Sequence, residues 1–174
     1  MRKPSFKVVT NVVILLTILG VLTKNLQPYI RRQPRNALAN EKEAFLRQAA
    51  FQSIQWKRNS SSAFSQARHE GKPILFLIGA PWSTLARRVD QRVFRDPDVA
   101  RFLNRNYICI RVDASEDRKW LSAFLPYSRM THGLAPGFQA WILDPQARLI
   151  DLIGRTSATD EFGPVSFINA LIDG

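Results

Sequence analysis

Two runs of strand length lie in the middle of this 174-residue chain, ILFLIGA at 74–80 and YICIRV at 107–112. Strands that are apolar along most of their length are typical of sheets covered by helices on both faces. A helical pattern lies between them at 84–94, and Asp96-Pro97 interrupts it before a further helical turn or two. The sequence therefore predicts an α/β domain.

The segments around these runs extend the alternation of helices and strands. Serines at 60–62 and Gly71 are placed to begin and end a helix, and a short helix is expected between 41 and 52. The remaining expected elements are a helix at 117–125, strands at 138–143 and 148–153 joined by a turn at 144–146, and a closing helix at 160–172. The chain thus reads as three helix–strand pairs, a returning strand and a final helix.

The positive charge of the chain lies mainly in its first forty residues. They contribute +7 of the net +11 and contain no acidic residue, whereas the other 134 residues carry 18 basic and 14 acidic side chains. Because the folded part is only mildly basic, no nucleic-acid partner is expected. The single cysteine excludes an internal disulfide and a two-thiol redox centre within this chain. With only two histidines, neither a metal nor a cofactor is expected.

An uncharged run at 8–23 lies between Lys7 and Lys24. A helix over 8–23 spans roughly 24 Å, but one over 6–26 spans roughly 31 Å, about the thickness of a bilayer's hydrocarbon core. No small-x-small cleavage site follows closely, which argues against a cleaved signal peptide. We expect a single uncleaved membrane anchor over 6–26. The alternatives are a buried core helix and an organelle transit peptide.

The side of the membrane is poorly determined, because the basic residues flanking the run are almost equal in number. The short basic leader resembles a signal anchor and favours an extracytoplasmic, periplasmic domain. The expected organisation is a membrane anchor at 1–26, a basic linker with a short helix at 27–52, and a folded domain at 53–174.

Three motifs carry a family resemblance. Gly71-Lys72-Pro73 leads into the first core strand, Phe94–Val99 has the pattern Phe-x-Asp-Pro-x-Val, and the run at 107–113 ends in Val-Asp. In order and spacing, over about residues 51–155, the chain resembles the spermatogenesis-associated thioredoxin-like proteins and the C-terminal domain of membrane thiol:disulfide interchange proteins. The resemblance implies a thioredoxin-like fold, in which a central mixed sheet is flanked by helices.

The redox motif of that family is not present. Trp82 stands where a tryptophan precedes Cys-x-x-Cys, Ser83 takes the position of the nucleophilic cysteine, and Ala86 that of the resolving one. Dithiol exchange needs a thiolate and a second thiol. The residues therefore predict no disulfide exchange, although the resemblance implies the fold. Cys109 lies in a strand expected to be buried, where a thiol is inert.

The resemblance also implies a binding surface. Pro136 stands where thioredoxins carry a cis-proline, in a loop that offers backbone groups to an extended peptide. We expect this surface to survive the loss of the thiols. Its residues, called the candidate groove below, are Trp82, Ser83, Arg87, Arg88 and Pro136. The resulting hypothesis is a membrane-anchored, redox-inactive thioredoxin-like domain that binds a protein partner.

Other functions stay open at this point. Ser83 with His132 would give an enzyme with non-thiol chemistry, although a serine at a helix start also simply caps it. Cys109 would give a single-cysteine thiol oxidoreductase. The third alternative is a structural subunit of a membrane complex.

Arginines also follow the degenerate motif. Arg88, Arg92 and Arg95 are spaced to share one helix face, and Asp90 and Asp96 among them are expected to balance part of their charge. The arginines are therefore interpreted either as a solvated face or as a docking surface for an acidic partner or lipid head groups.

Overall fold

The computed structural model describes residues 35–115, 137–153 and 163–172, together with Thr17. The chain divides into two units, Met1–Gln33 and Pro34–Gly174. Every described residue except Thr17 belongs to the second unit. Within the described part of the chain, no helix combines the length and the apolar character needed to span a bilayer.

Several expectations fall on residues outside these ranges. They are the helix at 117–125, His132, Pro136 and, apart from Thr17, the anchor over 6–26. Each of them stays a prediction.

A five-stranded mixed sheet forms the centre of the second unit. Its strands in chain order are β1 (Lys57–Arg58), β2 (Ile74–Gly79), β3 (Ile108–Asp113), β4 (Phe138–Leu143) and β5 (Leu149–Ile153). They lie side by side in the order β1, β3, β2, β4, β5. β3 is parallel to β1 and β2, whereas β4 is antiparallel to β2 and β5 is antiparallel to β4. Every residue of β2 and β3 is buried, as their apolar sequences predicted.

Helices cover both faces of the sheet. The described ones are α1 (Ala44–Ala49), α2 (Ser61–Glu70), α3 (Thr84–Arg92), α4 (Pro97–Asn106) and α5 (Pro164–Ile172). α2 packs Ala63 and Ala67 into the apolar cluster on one face. The other four helices contribute to the cluster on the opposite face. Successive side chains of a strand point to opposite faces, so β2 and β3 supply both clusters.

The helix ends follow from the capping residues. Ser60 Oγ accepts the N–H of Ala63 at 3.4 Å, and Gly71 ends α2 with a left-handed φ of 63°. Asp96 caps α4, which begins at Pro97, where the missing N–H costs nothing. α4 then continues for ten residues, longer than the one or two turns that the sequence predicted.

The segment expected to be a linker belongs, in its described part, to the domain core. Leu38 is fully buried, and α1 packs Phe45 so closely on β2 that a Cβ on Gly79 would lie 2.5 Å from its ring. Asn36 donates hydrogen bonds to the carbonyls of Ala49 and Ile54 at 2.8 and 2.9 Å. The fold therefore includes residues before position 53, because this segment covers one face of the sheet.

Candidate functional site

The degenerate motif lies at the start of α3, immediately after β2. Ser83 is the N-cap of α3, and its Oγ accepts the N–H of Ala86 at 3.2 Å. Both side chains are buried, and only 4% of Ser83 is exposed. The hydroxyl is thus engaged in capping, as one reading of the sequence expected. Within the candidate groove, Ser83 stabilises the helix start and offers almost no surface to a ligand.

Trp82 is the exposed aromatic residue of the candidate groove. Its side chain is 59% exposed, and its ring lies over Gly137, where a Cβ would meet Trp82 Cη2 at 2.6 Å. Ala80 N–H donates to the Gly137 carbonyl at 2.8 Å, which ties the two segments together. The structure therefore brings Trp82 beside the residue that follows Pro136. Pro136 itself lies outside the described residues, so its predicted cis bond is untested.

The two arginines of the candidate groove differ in their surroundings. Arg87 is exposed and donates to the Pro81 carbonyl at 2.8 Å and to Thr84 Oγ1 at 3.3 Å. These bonds hold its guanidinium beside the turn that carries Trp82. Arg88 is half-buried. Among the described residues of the candidate groove, the exposed surface is therefore mainly an indole face and a cation.

The lone cysteine is remote from the degenerate motif. Cys109 is 2% exposed and pairs with Leu75 in the register of β2 and β3. Leu75 precedes Gly79 by four residues, which puts Cys109 about 13 Å along the sheet from the end of β2. Burial raises the pKa of the Cys109 thiol far above its usual range. The thiol therefore stays protonated at neutral pH and has no access to solvent.

We expect Cys109 in the folded chain to resist alkylation by iodoacetamide at both pH 7 and pH 9, because only an exposed thiolate reacts quickly. In urea sufficient to unfold the chain, the same thiol should react at the rate of a free cysteine. Mass spectrometry of timed samples measures the modified fraction. Rapid labelling of the folded chain that increases with pH would show an accessible thiolate and contradict this burial.

A buried ion pair that was not predicted from the sequence joins α3 to β3. Arg111 is 1% exposed, and its Nη1 and Nη2 each donate to a carboxylate oxygen of Asp90 at 2.6 Å. Gln52 Nε2 also donates to Asp90 at 3.1 Å, and Trp56 Nε1 donates to Gln52 at 2.6 Å. The guanidinium lies 4.1 Å from the ring centroid of Phe45. The sequence signal for this ion pair is Arg111 itself, because it lies in a strand expected to be buried and a buried charge requires a partner.

This ion pair gives Asp90 a different role from the one expected. From the sequence, Asp90 is expected to balance part of the charge of the arginines that follow the degenerate motif. Both oxygens of its carboxylate instead face the interior, where they neutralise Arg111.

No group of three or more potential metal ligands occurs among the described residues.

The Thioredox_DsbH family model, described as a protein of unknown function, DUF255, matches residues 35–151. The chain belongs to the Thioredox_DsbH family. The match includes residues 35–56, so the Thioredox_DsbH domain includes the segment that covers the sheet before β1. The resemblance inferred from the motifs is thereby confirmed.

Curated relatives share this domain at moderate identity. Spermatogenesis-associated protein 20 of Mus musculus is 28% identical over 116 residues, which cover 62% of this chain and 15% of the mouse protein. Its Homo sapiens counterpart is 28% identical over 81 residues, or 47% of this chain and 10% of that protein. This Thioredox_DsbH chain thus spans less than a sixth of the length of these relatives.

Solved structures confirm the fold. A structure titled DsbH Oxidoreductase has a TM-score of 0.54 at 12% identity and covers 69% of this chain and 83% of its own. A putative disulphide-isomerase of Bacteroides thetaiotaomicron has a TM-score of 0.53 at 18% identity, with 70% and 93% covered. The Thioredox_DsbH domain of this chain therefore has a thioredoxin-like fold with a single cysteine.

Proposed function

We propose that this chain is a membrane-anchored, redox-inactive thioredoxin-like domain that binds a protein partner through the candidate groove. The proposal is supported by the burial or exposure of three residues at the degenerate motif. Ser83 and Ala86 are buried and engaged in the start of α3, whereas Trp82 is exposed beside the segment that enters β4. The two cysteine positions of the motif carry no thiol, whereas the exposed surface beside them is open to a ligand.

The physical basis of binding is an indole held in place. The contact with Gly137 fixes the Trp82 ring, so little conformational entropy is lost when a ligand packs on it. Exposed aromatic side chains of this kind often contribute a large share of binding energy. Arg87, held by the Pro81 carbonyl, adds a cation at the edge of the same surface.

The two enzymatic alternatives have less support. A nucleophilic Ser83 would need an accessible hydroxyl, but its Oγ is buried and accepts a backbone hydrogen bond. A single-cysteine oxidoreductase would need an accessible thiolate, whereas Cys109 is buried far from the groove. Binding without covalent chemistry makes use of the exposed residues and needs neither buried one.

Replacing Trp82 by alanine tests this proposal. The full chain, held in a neutral detergent, is panned against a random dodecapeptide display library, and the affinities of the selected peptides are measured by fluorescence anisotropy. We expect Trp82→Ala to weaken them about thirtyfold, which corresponds to about 2 kcal/mol for a buried aromatic contact. Phe51→Ala is the matched control, because Phe51 is also an exposed aromatic residue, at 45%, and lies outside the groove.

Two results would contradict the proposal. One is that no peptide is selected by the wild-type chain. The other is that Phe51→Ala and Trp82→Ala weaken the peptides equally, which would mean that the groove has no special role. Circular dichroism of each variant verifies that the fold is retained.

The membrane part of the proposal is supported by the uncharged run between Lys7 and Lys24. An alkaline carbonate wash of membranes that contain the full chain separates anchored from adsorbed protein. We expect the chain to stay with the pellet, and release into the supernatant would refute the anchor.

A further inference from the structure

Asp90 and Asp96, the acidic residues closest in sequence to Arg92 and Arg95, have other hydrogen-bond partners. Asp90 directs both carboxylate oxygens to Arg111. Asp96 Oδ1 accepts the N–H groups of Asp98 and Val99 at 2.8 and 3.1 Å and caps α4. Both carboxylates therefore bind other groups of the fold, and neither forms an ion pair with Arg92 or Arg95 in the described part of the chain.

Arg92 and Arg95 form no ion pair with a described residue. Arg92 ends α3 and Arg95 lies in the turn before α4, and both are exposed. The side chain of neither arginine forms a hydrogen bond or an ion pair with another residue in the described part of the chain. Arg101 on α4, in contrast, pairs with Asp98. Arg92 and Arg95 therefore place positive charge at the end of α3 that is farther from the degenerate motif.

We propose that Arg92 and Arg95 select an acidic segment of the protein partner, so that the ligand extends from Trp82 along α3. This inference rests on the proposed function of the groove. The nine residues of α3 rise about 13 Å, and an extended chain covers that distance in about four residues. The ligand therefore carries its carboxylates about four positions from the residue that contacts Trp82.

The chemistry favours carboxylates on a peptide over lipid head groups. A guanidinium binds a carboxylate through two parallel hydrogen bonds, which gives direction as well as attraction. Arg101, the next arginine along the chain, pairs with Asp98, so Arg92 and Arg95 form a small group of charges, whereas a flat anionic membrane would require a broader positive surface. Arg92 also lies on the same helix as Arg87 of the candidate groove.

The test uses the peptides selected by the full chain from the random dodecapeptide library. We expect them to be enriched in Asp and Glu, and to lose roughly tenfold in affinity for the Arg92→Glu/Arg95→Glu chain, because each change replaces attraction by repulsion. Their binding to the wild-type chain should also weaken as salt screens the charges. Arg105→Glu is the matched control, since Arg105 is an exposed arginine near the other end of α4. It should change affinity less than twofold.

Failure of this inference differs from failure of the proposed function. If Trp82→Ala abolishes binding while the selected peptides show no acidic enrichment, the groove stands and the role of Arg92 and Arg95 is refuted. The role is also refuted if the charge reversals leave affinity unchanged. If no peptide is selected at all, the proposed function fails and the inference fails with it. Arg92→Gln/Arg95→Gln replaces the double reversal should the latter not fold.

A lipid role would give a different pattern. Vesicles of phosphatidylcholine with and without phosphatidylglycerol are incubated with each chain. If the Arg92→Glu/Arg95→Glu chain binds the anionic vesicles less than Arg105→Glu does, and binds the peptides as the wild type does, the surface recognises lipid and our inference is wrong.

Discussion

Replacing Asp90 by alanine is expected to lower the free energy of unfolding by about 3 kcal/mol, because Arg111 would be left as an uncompensated buried charge. Arg111 is 1% exposed, and both of its terminal nitrogens depend on this one carboxylate. Urea unfolding of the full chain in neutral detergent, followed by circular dichroism, measures the change.

Asp98→Ala is the control for this prediction. Asp98 also pairs with an arginine, but its side chain is 68% exposed, so its loss should cost less than about 1 kcal/mol. In the Asp90→Ala background, Arg111→Met should recover stability, since it removes the unpaired charge and keeps most of the side-chain volume. Equal losses for Asp90→Ala and Asp98→Ala would show that the buried pair is not special.

Gly137→Ala is expected to cost about 2 to 3 kcal/mol, from two separate causes. Gly137 has a φ of 79°, which costs a residue with a Cβ about 1 kcal/mol. The added methyl group would also lie 2.6 Å from Trp82 Cη2, so the indole must move. The unfolding free energy in urea measures the total. The displaced indole should also weaken the peptides that bind the candidate groove.

A second glycine separates the two causes. Gly71 has a φ of 63° and nothing within 4 Å of its would-be Cβ, so Gly71→Ala reports the cost of the backbone alone. In a Trp82→Ala background, the loss of unfolding free energy caused by Gly137→Ala should fall to the loss caused by Gly71→Ala. If the penalty is the same with and without the indole, the contact between Trp82 and Gly137 contributes nothing to stability.

The central strands and most helix ends were predictable because local chemistry determines them. β2 and β3 are buried on both faces, so β2 is apolar throughout and β3 is apolar apart from Arg111 and Asp113. Ser60, Gly71 and Ser83 mark helix ends through backbone hydrogen bonds or a left-handed φ that their own residue types favour. Strand β1 is only two residues long, and no periodic pattern exists over such a length.

The role of the segment before β1 was not predictable from local pattern. α1 has only six residues, so its apolar side chains indicate a helix without indicating what covers it. Its position depends on a glycine at the end of β2 that leaves room for Phe45. The pairing of Asp90 with Arg111 likewise depends on how α3 lies over β3. Both relations join residues that are distant in sequence, and each residue alone has a simpler interpretation.

The segment that covers the sheet, residues 35–56, is synthesised before the residues that it contacts. Gln55 N–H donates to Asn104 Oδ1, and Asn104 Nδ2 donates to the Ser53 carbonyl, over sequence separations of 49 and 51 residues. At about 5 to 20 residues per second, Asn104 is added roughly 3 to 10 seconds after Ser53. During that interval Phe45 and Leu46 have no completed sheet to cover, and a nascent chain with exposed apolar side chains is prone to aggregate. This segment is therefore made early, but it docks on the sheet late in folding.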